Sequence, residues 1–157
     1  MDFKKLANQY RDELLDNVLP FWLEHSQDIE FGGYFSCLDR EGKVFDTDKF
    51  IWLQGREVWM FSMLYNKVEK RQEWLDCAVQ GGEFLKKYGH DGNYNWYFSL
   101  DRSGRPLVEP YNIFSYTFAT MAFGQLSLAT GNQEYADIAK KTFEIILSKV
   151  SNPNHPF

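Results

Sequence analysis

KFIWLQGREVWMFSMLY, residues 49–65, would place apolar side chains on nearly every side of a helix. A helix that is apolar all round is buried all round, so the sequence predicts an internal helix over about 51–66. The segment NIFSYTFATMAFGQLSLA, residues 112–129, predicts a second internal helix in the same way. An isolated buried charge is costly. Arg56 is therefore expected either to pair with a buried acid, such as Glu57, or to line a wet cavity.

Three further segments have the pattern of helices that are buried on one face only. Residues 3–24 place apolar side chains at intervals of three and four, with charged side chains between them, and 73–88 and 133–150 repeat this pattern. Short links at about 67–72 and 130–132 join each internal helix to the next amphipathic one. The sequence therefore predicts outer and inner helices in alternation.

An internal repeat accompanies this alternation. YFSCLDREGKVF at 34–45 is echoed about 60 residues later by WYFSLDRSGRPLV at 96–108. Each copy has an apolar strand, an Asp-Arg-x-Gly turn and a second short strand. Asp39 and Asp101 open these turns, and the glycine supplies the positive φ that closes a hairpin. The sequence predicts two β-hairpins, each leading from an outer helix into an inner one.

Alternating exposed and buried helices joined by long loops are typical of an α/α toroid, in which an outer ring of helices wraps an inner ring. Five helices make about two and a half repeats, whereas a closed ring needs more. The sequence predicts an all-α fold of the toroid type with two hairpin loops, forming an incomplete barrel. Residues 1–157 are expected to be the N-terminal part of one such domain, with no internal boundary.

Composition and charge argue against several classes of protein. The net charge is −5 and no basic run reaches five residues, which disfavours nucleic-acid binding. No apolar run reaches the roughly 18 residues of a membrane span, and the N-terminus lacks a signal-peptide core. Cys37 and Cys77 are isolated, and His25, His90 and His155 form no metal-binding pair. We expect a cytoplasmic protein with reduced cysteines, no metal and no nucleic-acid or membrane partner.

Residues 21–66, which include the run WLQGR-x-VW, resemble the N-terminal region of N-acylglucosamine 2-epimerases, also known as renin-binding proteins. The segments GGEFLKKY at 81–88 and IFSYTFATMAFGQLSLATGNQEY at 113–135 resemble the same family. The resemblance implies an (α/α)6 barrel longer than this chain. It also implies reversible inversion at C2 between N-acetylglucosamine and N-acetylmannosamine, an amino-sugar substrate, no required cofactor, and possible activation by ATP. A homodimer is compatible with it.

Inversion at C2 requires ring opening, removal of the proton next to the aldehyde, and its return to the other face. A fixed positive charge stabilises the enolate oxygen, and two bases complete the inversion. The resemblance implies that Arg56 serves the sugar's oxygen end. It places two catalytic histidines on later inner helices, beyond Phe157, so that this chain would supply the arginine side of the pocket only.

The residues expected to bind substrate lie near the ends of the inner helices that face the long loops. They are Trp52, Phe114, Tyr111, Asn112, Tyr116 and Lys49. Trp52 and Phe114 are the favoured sugar contacts, although aromatic side chains on core helices usually serve packing. The polar groups of the others are expected to bind sugar hydroxyls or to cap helices. By the resemblance, Phe114 favours the N-acyl sugar branch, since cellobiose-type relatives tend to carry Tyr there.

Other functions remain open at this point. A glycoside-processing enzyme of the same architecture would need two carboxylates across the pocket. The chain offers Asp46, Asp48 and Glu57, but no acid within the second inner helix. A non-catalytic sugar- or protein-binding fragment is a second alternative, and an aldose epimerase or isomerase of the cellobiose 2-epimerase type is a third.

Overall fold

The computed structural model describes residues 1–110 and 112–150, which form helices with two small antiparallel sheets. The α-helices are α1 Phe3–Glu13, α2 Leu19–His25, α3 Ile51–Lys67, α4 Gln72–Tyr88, α5 Phe114–Thr130 and α6 Gln133–Val150. The strands are β1 Cys37–Leu38, β2 Val44–Asp46, β3 Lys49–Phe50, β4 Ser99–Leu100 and β5 Pro106–Val108. All five predicted helical segments are present.

The first segment is interrupted by a π-helical turn and is not a single regular α-helix. A π-helical turn, Leu14–Val18, joins α1 to α2, and the Leu19 N–H bonds to the Leu14 carbonyl five residues back. Pro20 follows directly and has no N–H with which to continue the α-helical ladder. Every residue of α1 is exposed, so its predicted apolar stripe is solvent-facing within the described chain.

The inner and outer roles of the remaining helices follow the prediction. Helix α3 packs against both α4 and α5, and α5 packs in turn against α6. A Cβ on Gly55 would lie 3.0 Å from the backbone carbonyl of Phe118, so the missing side chain lets α3 and α5 approach closely. On α4, a Cβ on Gly81 would overlap the Tyr34 ring, and one on Gly82 would overlap Leu126. Close packing therefore explains both of these helix-interior glycines.

Both predicted hairpins are present, and their turns are built alike. In the first, an Asp39 carboxylate oxygen accepts hydrogen bonds from the backbone N–H groups of Glu41 and Lys43 at 3.0 and 2.8 Å. In the second, Asp101 accepts the N–H of Arg105 at 2.9 Å. The glycine after each turn has a φ near +90° (83° and 94°). Turn geometry thus accounts for both aspartates, as predicted.

One strand pairing was not predicted. β3, which leads directly into α3, pairs antiparallel with β4 of the second hairpin, with Lys49 opposite Leu100 and Phe50 opposite Ser99. The first N–H of α3, on Ile51, extends this ladder to the carbonyl of Phe98 at 3.0 Å. The second hairpin, which precedes α5 in the chain, therefore also fixes the start of α3.

Cys37 and Cys77 are free thiols, as expected. None of the helices within residues 1–110 and 112–150 has the length and apolar character needed to cross a membrane.

Candidate functional site

Three successive residues of the WLQGR run on α3, Gln54, Gly55 and Arg56, have different surroundings. The side-chain amide of Gln54 bonds to the backbone of Tyr34 in both directions, with each distance 2.8 Å. Gly55 faces α5 at close range, as described above. The next residue, Arg56, is exposed. The run therefore anchors the inner helix on two sides and turns a guanidinium toward its open face.

Arg56 lines a pocket of about 410 Å³ beside α3. The pocket is mainly apolar, and its other lining residues are Trp22, Ser36, Leu53, Glu57, Trp59 and Met60. No acid among residues 1–110 and 112–150 lies within ion-pair distance of the guanidinium. Of the two environments that the sequence allowed for Arg56, the structure shows the solvent-accessible one.

A second pocket of about 300 Å³ lies at the start of the inner helices. It is lined by Trp52, Phe98, Asn112, Phe114 and Phe118. Phe114 is 61% exposed, and the Trp52 and Phe118 rings are 5.9 Å apart at an angle of 51°. Asn112 both lines this pocket and accepts the N–H of Phe114 at 3.0 Å, so it also holds the start of α5.

Three of the predicted substrate-binding residues, Trp52, Asn112 and Phe114, therefore meet at one aromatic pocket. Trp52 and Arg56 are four residues apart on α3, so their side chains lie one turn apart on the same face of the helix. The two pockets are consequently neighbours along the exposed face of α3.

Tyr116 lies elsewhere than predicted. Two residues along an α-helix rotate a side chain by about 200°, so Tyr116 and Phe114 lie on opposite sides of α5. Tyr116 is only 2% exposed, its hydroxyl lies 3.4 Å from Asn95, and the Lys149 ammonium sits over its ring. It packs toward α6, and we do not retain it as a sugar contact. Tyr111 lies outside the residues that the structure describes.

Lys49 also has a different role from the predicted one. Its ammonium is fully buried and donates to Asp28 Oδ2 at 2.9 Å, to the Gly32 carbonyl at 2.5 Å and to the Arg102 carbonyl at 2.9 Å. These three bonds use all three N–H donors of an ammonium group, which leaves none for a ligand. The expectation that Lys49 binds sugar is therefore replaced by a structural role.

Asp28 is the centre of this buried network. Its carboxylate has no exposed surface and also accepts two hydrogen bonds from the Arg102 guanidinium, at 3.0 and 3.1 Å. Burial alone would raise the pKa of Asp28, but hydrogen bonds from Arg102 and Lys49 hold it below its usual value. Burial lowers the pKa of Lys49, and its bond to Asp28 opposes that shift. The network ties the loop before β1 to β3 and the second hairpin.

Glu57 is a second polar group whose environment the sequence did not reveal. Its carboxyl group lies 2.5 Å from the Ser26 hydroxyl, and Ser26 Oγ lies 2.6 Å from the Trp22 carbonyl oxygen. Burial raises the pKa of Glu57 to about 8, with the Ser26 hydrogen bond opposing that shift. No cation within residues 1–110 and 112–150 forms an ion pair with it.

Residues 33–157 match the family described as N-acylglucosamine 2-epimerase (GlcNAc 2-epimerase). The chain belongs to this family. It is 44% identical to the N-acylglucosamine 2-epimerase of Mus musculus over 140 residues, which cover 87% of the chain and 33% of the mouse protein. The Homo sapiens N-acylglucosamine 2-epimerase is also 44% identical, over 137 residues and 32% of its length. The chain thus spans about a third of these relatives.

The solved structures establish the architecture. The cellobiose 2-epimerase from Bacillus thermoamylovorans B4167 superposes with a TM-score of 0.85 at 29% identity, covering 96% of this chain and 39% of that protein. A sugar epimerase from a ruminal bacterium gives a TM-score of 0.84, also at 29% identity, covering 92% of this chain and 37% of its own. Cellobiose 2-epimerases are (α/α)6 barrels, and the predicted fold type is confirmed.

The His, Cys, Asp and Glu side chains of residues 1–110 and 112–150 form no group of three or more that could hold a metal ion. The polar features that carry this site are individual side chains: the exposed guanidinium of Arg56, the Asn112 amide and the half-buried carboxyl of Glu57.

Proposed function

We propose that the protein interconverts N-acetylglucosamine and N-acetylmannosamine by removing and returning the proton at C2 of the open-chain sugar. The observation that carries the proposal is Arg56, which is exposed in a pocket on a helix that is otherwise built for the interior. The family relationship supports it, since this chain is 44% identical to the N-acylglucosamine 2-epimerases of mouse and of human over the aligned residues.

Arg56 would stabilise the negative charge that develops on the sugar oxygen when the C2 proton leaves. A guanidinium offers planar, two-pronged donation to such an oxygen and remains charged at every relevant pH. Since no described acid neutralises Arg56, its charge is available to the substrate. Preorganised donors of this kind accelerate a reaction because they act where charge appears in the transition state.

The aromatic pocket would hold the body of the sugar. Trp52 and Phe118 present ring surface, Phe114 is largely exposed, and Asn112 adds an amide that can bond a hydroxyl or the N-acyl group. Apolar ring faces with few polar groups are the usual composition of a small-molecule site. In this proposal Phe114 packs against the acetyl methyl group.

The two bases of the inversion are not assigned to the described residues. His25 packs against Phe21 at the end of α2, and His90 stacks on Tyr94 after α4, and neither lines the two pockets described above. The proposal assigns proton transfer to the part of the family fold that residues 1–157 do not include. ATP activation, a homodimer and a cytoplasmic location stay predictions.

Epimerisation can be tested in a protein that carries these residues together with the rest of the family fold, by incubating it with N-acetylmannosamine in D2O and following the sugar by proton NMR. We expect N-acetylglucosamine to form with deuterium at C2, because the returned proton comes from solvent-exchanged groups. Arg56→Ala should slow both conversion and deuterium uptake by about a hundredfold or more. Arg11→Ala, which removes an exposed arginine paired with Asp12 on α1, is the matched control and should be neutral.

A cellobiose 2-epimerase activity is the second candidate, favoured by the TM-score of 0.85 to the Bacillus thermoamylovorans enzyme. The same NMR experiment with cellobiose separates the two. Faster C2 inversion of cellobiose than of N-acetylmannosamine would select the second candidate. Absence of C2 exchange in every sugar would refute both.

A further inference from the structure

Glu57 follows Arg56 on α3. The two short contacts made by its partner Ser26 need more hydrogens than one hydroxyl group supplies. The Ser26 hydroxyl has one hydrogen, yet two acceptors lie within bonding distance: the Trp22 carbonyl at 2.6 Å and a Glu57 carboxyl oxygen at 2.5 Å. One hydroxyl hydrogen cannot satisfy both contacts. If Glu57 carries a proton, its O–H donates to Ser26 Oγ, and Ser26 donates to Trp22, so every contact has its hydrogen.

The surroundings of Glu57 favour the same protonated state. The titratable groups that face it are the Tyr34 phenol, from the segment before β1, and the Cys77 thiol on α4. Burial raises the pKa of both groups, so both are neutral at physiological pH. Tyr34 donates its hydrogen to the Cys77 carbonyl at 2.7 Å rather than to Glu57. A carboxylate at this half-buried position would therefore lie in a mainly apolar pocket, without an ion-pair partner among residues 1–110 and 112–150.

We propose that Glu57 is a positioning residue that acts as a neutral carboxylic acid. Its O–H closes a hydrogen-bond chain to Ser26 and the Trp22 carbonyl, and so fixes to α2 the turn of α3 that carries Arg56. The proposal rests on the proposed function of Arg56. Ionisation of Glu57 breaks this chain and places a negative charge one residue from the guanidinium, which weakens its support of the developing oxyanion.

The expected pH dependence follows from the two states of the carboxyl group. Its pKa is about 8 in the folded protein and near 4.5 in an unfolded chain. The unfolded state therefore loses the proton first, and stability falls as the pH rises from about 4.5 to about 8 and is level above that. Activity that depends on the neutral acid is lost as the pH rises through about 8.

The test compares wild type with Glu57→Gln, which keeps a neutral donor that cannot ionise, both in the protein that carries the whole family fold. Two quantities are measured from pH 6 to about 10: the Tm, and kcat/KM for N-acetylmannosamine. We expect the wild-type Tm to fall by several degrees between pH 6 and about 8, and the Glu57→Gln Tm to fall less. The alkaline decline of kcat/KM, near pH 8 in wild type, should move upward by about one pH unit or more in Glu57→Gln.

Ser26→Ala supplies an independent variant that leaves Glu57 in place and removes its partner. We expect kcat/KM to fall several-fold at pH 7 with KM changed less than kcat, because Arg56 is displaced from the transition state. Ser127→Ala is the matched control, since Ser127 also bonds a carbonyl of its own helix at 2.9 Å but lies toward the far end of α5.

If wild type is active and the alkaline decline of kcat/KM lies at the same pH in Glu57→Gln, the positioning role is overturned, whatever the Tm does. An active wild type in which Ser26→Ala behaves like Ser127→Ala would overturn it as well. Loss of the proposed function is a different result: wild type would then show no C2 deuterium exchange at any pH, and both inferences would fall together.

Discussion

Replacing Asp28 by alanine tests the network that holds the loops around the two inner helices. The change removes the carboxylate that receives Lys49 at 2.9 Å and Arg102 at 3.0 Å. Lys49 has no exposed surface, so its ammonium would remain buried with two carbonyl oxygens and no counter-charge. Arg102 differs, because it is 37% exposed and can turn toward water or Glu30.

The expected loss follows from that asymmetry. Removing one partner of a buried ion pair typically costs about 3–5 kcal/mol, because the remaining charge is left uncompensated. A domain of this size is stable by about 5–15 kcal/mol, so the variant should lose a large share of its stability. Urea denaturation followed by far-UV circular dichroism measures the loss as a lower midpoint with a similar slope.

Two further variants make the result specific. Glu30→Ala removes another acid that contacts the same Arg102, at 3.0 Å, but one that is 65% exposed. Exposed ion pairs contribute about 0–1 kcal/mol, so we expect little change from it. The double variant Asp28→Ala/Lys49→Met removes both buried charges and should recover part of the loss. If Asp28→Ala costs no more than Glu30→Ala, or if the double variant is less stable than Asp28→Ala alone, the reasoning is wrong.

Three other predictions concern stability and binding. Gly81→Ala should cost about 1–3 kcal/mol in chemical denaturation, because its Cβ overlaps the Tyr34 ring. Gly124→Ala, in a helix with open space around it, should instead be neutral or stabilising by up to about 1 kcal/mol, and the reverse order would contradict the packing argument. Trp52→Ala should raise KM for N-acetylmannosamine more than it lowers kcat, since it removes ring surface from the pocket rather than charge. An unchanged KM would show that Trp52 does not contact the sugar. Because the pKa of Asp28 is lowered, its contribution to the stability of the folded protein is complete above about pH 5 and is lost as the pH falls below about 4. Asp28→Asn should therefore reduce the fall of Tm with decreasing pH in melts recorded from about pH 6 to 3.

The helices and hairpins were predictable because local spacing encodes them. Apolar side chains on all sides of 51–66, against one-sided patterns in 73–88 and 133–150, separate inner from outer helices without any tertiary information. The repeated Asp and Gly of the two turns similarly specify the hairpins. The π-helical turn at Leu14–Val18 was missed, although Pro20 two residues beyond it was a visible signal.

The contacts that organise the site were not predictable in the same way. Asp28 and Arg102 are 74 positions apart, and Ser26 and Glu57 are 31 apart, so no periodicity links them. Tyr116 is a different kind of miss, because its two-residue offset from Phe114 places it on the other side of α5, which a helical projection would have shown. Lys49 was misjudged because a buried lysine requires an acid, and Asp28 could be recognised as that acid only in three dimensions.

Arg56 offers the sharpest separation between a residue kept for function and one kept for stability. Its guanidinium is exposed and has no acid partner among residues 1–110 and 112–150, so its removal leaves no buried charge unpaired. We therefore expect Arg56→Ala to change the free energy of unfolding by no more than about 0.5 kcal/mol, as for surface substitutions generally. In the complete enzyme, the same variant should lower kcat/KM by about a hundredfold or more, the loss typical of one oxyanion-stabilising donor. Arg56→Lys should recover only part of that activity, because an ammonium retains the charge but not the planar pair of donors. A variant that keeps full activity and melts many degrees lower would show instead that Arg56 is a structural residue, and the proposed mechanism would lose its electrostatic centre.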